Sequence, residues 1–286
     1  MSDKVQELER LAPSFRIGSS EEFKVATSQI GRELRLLNKD QSEISLSQIL
    51  NKVIEWEAEF GDKVKEEEIE SLEVLSMMIG MVKFSQEHRR TDEARLSREN
   101  VDIEHQVLRV VFNNLEPDGK PNETIMRSFS LVTGVFDTFF DMNTSKISDK
   151  GILKEMGYWQ GAMAAVTTAV MFNNAGWEVR LPTPEMDIES EVDLVVVNPK
   201  GERFTVDITA RRPGHDKSLS NEDDLFYIKT GDVRPEIAEL SWNFKGNIKI
   251  NIPPLASRES DTFYENRRTG YPNERAIAKF KGMISS

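Results

Sequence analysis

Two aspartates, Asp193 and Asp207, fall where a β-hairpin legible in the sequence sets carboxylates face to face. The chain reads ESEVDLVVV over 189–197, NPKG over 198–201 and ERFTVDITARR over 202–212. Pro199-Lys200-Gly201 suits a three-residue connection, with Pro at the first turn position and Gly at the left-handed bulge position. That closure sets Asn198 opposite Glu202 and fixes every pair behind it. Val192, Leu194 and Val196 then face Ile208, Val206 and Phe204, giving one apolar face. On the other face Asp193 meets Asp207, with Glu191 opposite Thr209 and Glu189 opposite Arg211. Like charges directly opposite destabilise a sheet. Such a pair is either solvated or holds something positive, and a divalent cation suits it.

The elements that must position this pair follow from apolar spacing. Ile152, Met156, Trp159, Met163, Val166 and Val170 predict a helix stopped by Asn173-Asn174-Ala175-Gly176. Trp177, Val179 and Leu181 alternate as in a half-buried strand. After the hairpin come a polar loop over 211–224, a strand over 225–229 and a short helix over 235–242 with Pro235 in its first turn. Ile248, Ile250 and Ile252 predict a further strand ended by Pro253-Pro254. A last helix starts near Pro272 and carries Ile277 and Phe280. Ahead of a polar linker at 143–149, helices are predicted over 19–37, 45–60, 66–84, 101–115 and 123–142. The expectation is an α+β chain: a helical domain over 1–145, then an α/β domain over 150–286 whose mixed sheet is flanked by helices.

Composition bounds the chemistry. The 286 residues are 38% hydrophobic and 30% charged, as in a globular chain. There is no cysteine, which removes disulfides, thiolate metal sites and cysteine nucleophiles. A reducing cytoplasm is compatible with that and is the expected location. The first residues lack the apolar core of a signal peptide, and the longest nearly apolar run, 161–172, is too short to span a bilayer. It reads as a buried helix, and no membrane partner is expected. The net charge of −12 argues against nonspecific adhesion to nucleic acid by the whole chain. From Asn198 onward, however, 15 Lys+Arg stand against 13 Asp+Glu, whereas 22 stand against 36 before it. The acidity belongs to the front of the chain.

The order after the linker is helix, three strands, helix, strand, helix. With Asp193 opening the second strand and Asp207-Ile208-Thr209 in the third, this part resembles the PD-(D/E)XK nuclease superfamily. That restriction-endonuclease-like fold is built on a helix, a three-stranded meander, a helix and a further strand. Its motif is an acid at the start of the second strand and acid-X-lysine in the third. The resemblance covers the last 135 residues or so and leaves the helical front unaccounted for. It implies a Mg²⁺ ion, or Mn²⁺, held by Asp193, Asp207 and the carbonyl of Ile208, with Glu155 offered by the first helix. Two carboxylates and a carbonyl suffice for Mg²⁺, which keeps several waters. Such an ion shields charge on a phosphodiester and activates water.

Thr209 departs from the motif, since a hydroxyl cannot supply the lysine's charge. Arg211 points to the same face and can stabilise phosphate, but it is a poor general base. Lys154 or Lys229 could substitute. Two functions are therefore carried forward. One is a metal-dependent nuclease whose C-terminal domain binds DNA or RNA. The other is a non-catalytic interaction module, a degenerate nuclease-like domain joined to an acidic helical domain that binds a protein partner. Elsewhere the signals are structural. His88, His105 and His215 lack ligand spacing, and the Met77, Met78 and Met81 cluster reads as core filler. No Gly-rich phosphate loop or serine-nucleophile turn is present. Arg267-Arg268 beside Phe263, Tyr264 and Tyr271 read as a loop packing its aromatics or as a stacking contact to nucleic acid.

Overall fold

Gly201 takes a φ of +82°, a region open to glycine at no steric cost, so the hairpin closes as its turn residues require. Asn198 locks the turn: its Oδ1 accepts from the amides of Lys200 and Glu202, both at 2.9 Å, and its Nδ2 donates to Glu202 Oε2 at 2.8 Å. The strands behind it, β3 (Leu194–Val197) and β4 (Arg203–Ala210), pair antiparallel in the expected register. Leu194 lies opposite Val206 and Val196 opposite Phe204. The computed structural model describes residues 8–13, 19–40, 46–66, 68–70, 72, 73, 76, 93–116, 119–140, 150–210, 227–238, 243–253, 260–266 and 270–284.

The protein is mixed α and β, and its contacts divide it into two compact units: Met1–Ala12 with Gln160–Ser286, and Pro13–Trp159. The first unit holds a six-stranded mixed sheet, ordered β1 (Arg10–Leu11), β2 (Glu178–Arg180), β3, β4, β6 (Phe244–Ile252) and β5 (Tyr227–Gly231). Neighbours are antiparallel except β4 and β6, which run parallel. Arg10 and Leu11, expected in the helical front, thus form an edge strand of this sheet.

One face of the sheet is apolar for the reason the alternation gives. Val206, Ile248, Ile250 and Ile252 are buried on it. An aromatic run crosses from β4 to the helices: Phe204 to Trp177 at 5.6 Å, Trp177 to Phe172 at 5.4 Å, and Phe172 edge-on to Phe280 at 4.9 Å. Phe172 belongs to α5 (Lys150–Asn174) and Phe280 to α9 (Glu274–Ile284). Residues 162–172 of α5 are buried almost all round, which is why this helix reads as apolar on every side. Phe263, Tyr264 and Tyr271 are buried, and the Tyr264 hydroxyl donates to the Pro253 carbonyl at 2.8 Å. These rings pack inside the unit, so the stacking reading of that loop is not supported; Arg267 and Arg268 lie outside the described residues.

The first arm of the hairpin departs from expectation. Pro184–Ser190 is a helix, α6, and not the start of a strand. Thr183 is its N-cap, accepting from the Met186 amide at 3.3 Å, Pro184 occupies the first turn, and Glu185 and Asp187 favour the positive end of the helix. Glu191 ends it in a left-handed conformation, φ 49°. Glu189 therefore lies on α6, and neither it nor Glu191 pairs across β4. Val192 packs with Leu8, Met186, Val195 and Ile237, so β3 is buried on both sides. Ile237 comes from the one-turn helix α7 (Pro235–Ala238). The unit is completed by α8 (Ser260–Phe263) and the short pair β7 (Tyr264–Asn266) and β8 (Tyr271–Pro272).

The second unit contains α1 (Glu21–Asp40), α2 (Leu46–Phe60), α3 (Glu93–Phe112) and α4 (Glu123–Phe140) among its described residues. Phe23, Ile30, Trp56, Leu108, Phe112 and Phe129 are buried in it. Glu68, itself buried, accepts from the Ser20 amide at 2.6 Å, the Ser20 hydroxyl at 2.8 Å and the Lys65 amide at 2.8 Å. A carboxylate with three donors is a stable buried group, so this acid is structural. His105 is buried as expected of a structural histidine; His88, His215, the methionine cluster and the linker at 143–149 lie outside the described residues. No helix among the described residues is long and apolar enough to cross a membrane.

Candidate functional site

The β3/β4 ladder stops at Leu194 and Val206, one residue short of the two aspartates. The left-handed turn at Glu191 brings the chain in from α6, and the Asp193 amide donates to the Val206 carbonyl at 3.0 Å. The expected ladder pairing of Asp193 with Asp207 is therefore corrected. Asp193 instead turns its carboxyl along the strand, and Oδ2 accepts from the Ile208 amide at 2.5 Å. It takes the place that a β3 residue would have filled, capping β4 where its neighbour ends. The amide and carbonyl of one strand residue point the same way, so the Ile208 carbonyl also faces the side β3 has vacated.

The two carboxylates still sense each other. Burial first, then Asp187, Asp207 and Glu191, raise the Asp193 carboxyl to about 8 against the opposing pull of the Ile208 hydrogen bond. The electrostatic conflict expected from the sequence thus survives the change in pairing.

Asp207 is held from three directions. Arg234 Nη2 donates to its Oδ2 at 2.5 Å, Asn247 Nδ2 donates to the same oxygen at 3.0 Å, and Lys249 Nζ lies 3.8 Å away. Asn247 is itself fixed by the Thr205 hydroxyl, which donates to Asn247 Oδ1 at 2.9 Å. Arg234 also donates to the Ser190 carbonyl at the end of α6 and lies 3.5 Å from Glu191. Asp207 Oδ1, in contrast, is buried and has no hydrogen-bond partner among the described residues. A bare carboxylate oxygen out of water is costly unless something positive reaches it.

The parallel register of β4 and β6 sets Lys249 directly beside Asp207, and the antiparallel register of β5 sets Lys229 directly beside Lys249. Asp207, Lys249 and Lys229 are one row across one face. Lys249, Asn247 and Arg234 were not singled out from the sequence. Lys249 had a signal, as the polar member between Ile248 and Ile250, but its neighbour depends on a crossover whose register is not written locally. Glu155 and Lys154 lie on α5, where their side chains are outside the described residues, as is Arg211.

Three oxygens here are of the kind that could hold a divalent cation. The Asp207 oxygen without a partner, the Asp193 oxygen not used by Ile208, and the Ile208 carbonyl are hard oxygen donors of the kind Mg²⁺ takes. Arg234 and Asn247 would orient the Asp207 ligand from behind. No group of three or more His, Asp or Glu side chains stands together as a ligand set among the described residues, so most of the coordination would be water. Comparison of the chain with protein-family models, curated proteins and solved structures finds no match.

Proposed function

We propose that the sheet unit is a metal-dependent phosphodiester hydrolase of the PD-(D/E)XK type that acts on nucleic acid. The element order supports this reading: helix α5, the adjacent strands β2, β3 and β4 with α6 inserted after β2, then β5, the one-turn helix α7, and β6 beside β4. The observation that carries it is Lys249, whose ammonium lies 3.8 Å from Asp207 and supplies the charge that Thr209 cannot. Asp193, Asp207 and the Ile208 carbonyl would hold Mg²⁺ or Mn²⁺. When bound, the ion supplies charge shielding and a water acidified toward neutral pH. The protein's own part is to orient Asp207 through Arg234 and Asn247. Lys249 then offers a positive charge to a phosphoryl oxygen as negative charge grows there.

One observation favours the alternative, a non-catalytic module. Arg234 already neutralises Asp207, and a paired carboxylate needs no metal. Cleavage of single- and double-stranded DNA and RNA in Mg²⁺ and Mn²⁺ separates the two. The nuclease reading expects activity in the wild type that falls about 100-fold or more in Asp207→Asn and in Lys249→Met. A folded wild type without cleavage in either metal would leave the binding module.

A further inference from the structure

Lys229 and Lys249 stand directly opposite each other in the β5/β6 ladder, with Cβ atoms about 5 Å apart. Like charges so placed cost stability. β5 is the edge of the sheet, where a lysine also discourages pairing with another chain. Edge protection accounts for Lys229, but β6 lies inside the sheet between β4 and β5, so it does not account for Lys249. Among the described residues the acid beside this pair is Asp207, which lies 3.8 Å from Lys249 and whose nearer oxygen is already taken by Arg234 and Asn247. The rows on either side, Thr205-Asn247-Gly231 and Thr209-Asn251-Tyr227, carry no acid. Glu191, another acid at the site, lies 3.5 Å from Arg234, and Asp193 accepts from the Ile208 amide. Lys229 is exposed and the Lys249 side chain is 58% exposed, so both ammonium groups are open to a ligand.

We propose that this lysine pair binds a backbone phosphate of a nucleic-acid strand, one adjacent to the phosphodiester presented to Asp193 and Asp207. The row from β4 through β6 to β5 then gives the direction in which the strand crosses the sheet. A phosphate between the two ammonium groups removes their repulsion and makes charge-assisted hydrogen bonds to both. The identity of the polymer rests on the nuclease reading, whereas the anion site itself requires no metal.

The test is fluorescence anisotropy of labelled single-stranded and duplex DNA and RNA oligonucleotides on the full chain in EDTA, over a salt series. Lys229→Gln is expected to weaken binding of the preferred oligonucleotide and to lower the salt slope by about 0.7 to 0.9, one phosphate contact. Lys229→Arg should retain the slope. Lys200→Gln, which removes the same charge at the exposed hairpin turn, should leave slope and affinity unchanged. The melting temperature of Lys229→Gln should equal or exceed that of wild type, which excludes loss of folding as the cause. An unchanged slope in Lys229→Gln, or no binding by wild type, overturns the proposal. Metal-dependent cleavage with an unchanged KM in Lys229→Gln overturns it while sparing the nuclease reading. Lys229-dependent binding without cleavage in any metal does the reverse.

Discussion

Asp193 is a carboxyl held out of water just after the left-handed turn at Glu191. Its ordinary range lies near 3.8, and burial first, then Asp187, Asp207 and Glu191, raise it to about 8 in the folded protein. The folded state therefore binds more protons than the unfolded state between those values, and stability must fall as pH rises through the window. At its steepest the loss is about 1.4 kcal/mol per pH unit. In metal-free buffer, urea denaturation of wild type from pH 4 to 8 should show this decline, and Asp193→Asn should flatten it. Asparagine keeps an oxygen for the Ile208 amide, so a flat profile reports the charge and not the hydrogen bond. A decline of equal size in both proteins would place its source elsewhere.

Arg234 belongs to the same scale. It is 20% exposed and its partner Asp207 14%, so solvent screens the pair weakly. Removing one partner of such a pair costs about 3–5 kcal/mol, because the other charge is left uncompensated. Arg234→Ala should therefore be strongly destabilised, and adding Asp207→Asn should recover part of the loss. Additive losses in that double-mutant cycle would mean the two groups do not interact. Nothing near Arg234 in the sequence announces this role. Its acceptors sit at Ser190 and Asp207, 44 and 27 residues back, and only the packing of α7 behind α6 brings them together.

Among the elements, the hairpin was legible and its entry was not. Turn residues and alternation determine the pairing of Val196 with Phe204 because both signals are local. The alternation of Glu189, Glu191 and Asp193 looks equally strand-like, yet Thr183-Pro184-Glu185 opens a helix that consumes the first of these positions. Cap chemistry outweighed a short alternating run. Thr183→Ala removes the acceptor for the Met186 amide and should cost about 1 kcal/mol. Because α6 presents the Ser190 carbonyl to Arg234, the same change should loosen the site. Hydrogen exchange at the Glu191 and Val192 amides, both bonded to the Met186 carbonyl, should quicken, while the Asn198 turn should not change. Uniform acceleration over both segments would deny α6 that local role.

For the whole molecule, the places where contacts divide the chain were not legible in the sequence. Residues up to Ala12 join the sheet unit and the division falls within α5. Strand addition from a distant segment has no local signature, since two residues pairing with β2 look like any others. This organisation makes one measurement decisive for the metal. A cation bound to the folded sheet unit stabilises it by mass action, by about 2.7 kcal/mol at a hundredfold excess over Kd. It should also draw the Asp193 carboxyl down to its ionised form, so the gain should grow less steep above pH 8, where no proton has to leave. Calorimetry of wild type with Mg²⁺ or Mn²⁺ should show an upward shift in melting temperature, and Asp193→Asn/Asp207→Asn should show none. Hydrogen exchange with and without metal locates the effect, with added protection at the amides of Asp193 and Ile208 and none along α1 or α4. Equal shifts in both proteins, or protection spread over the helical unit, would assign the ion to some other acidic surface of this −12 chain. In that case Asp207 is neutralised by Arg234 and Lys249 alone, and the site is a buried ion pair without a metal.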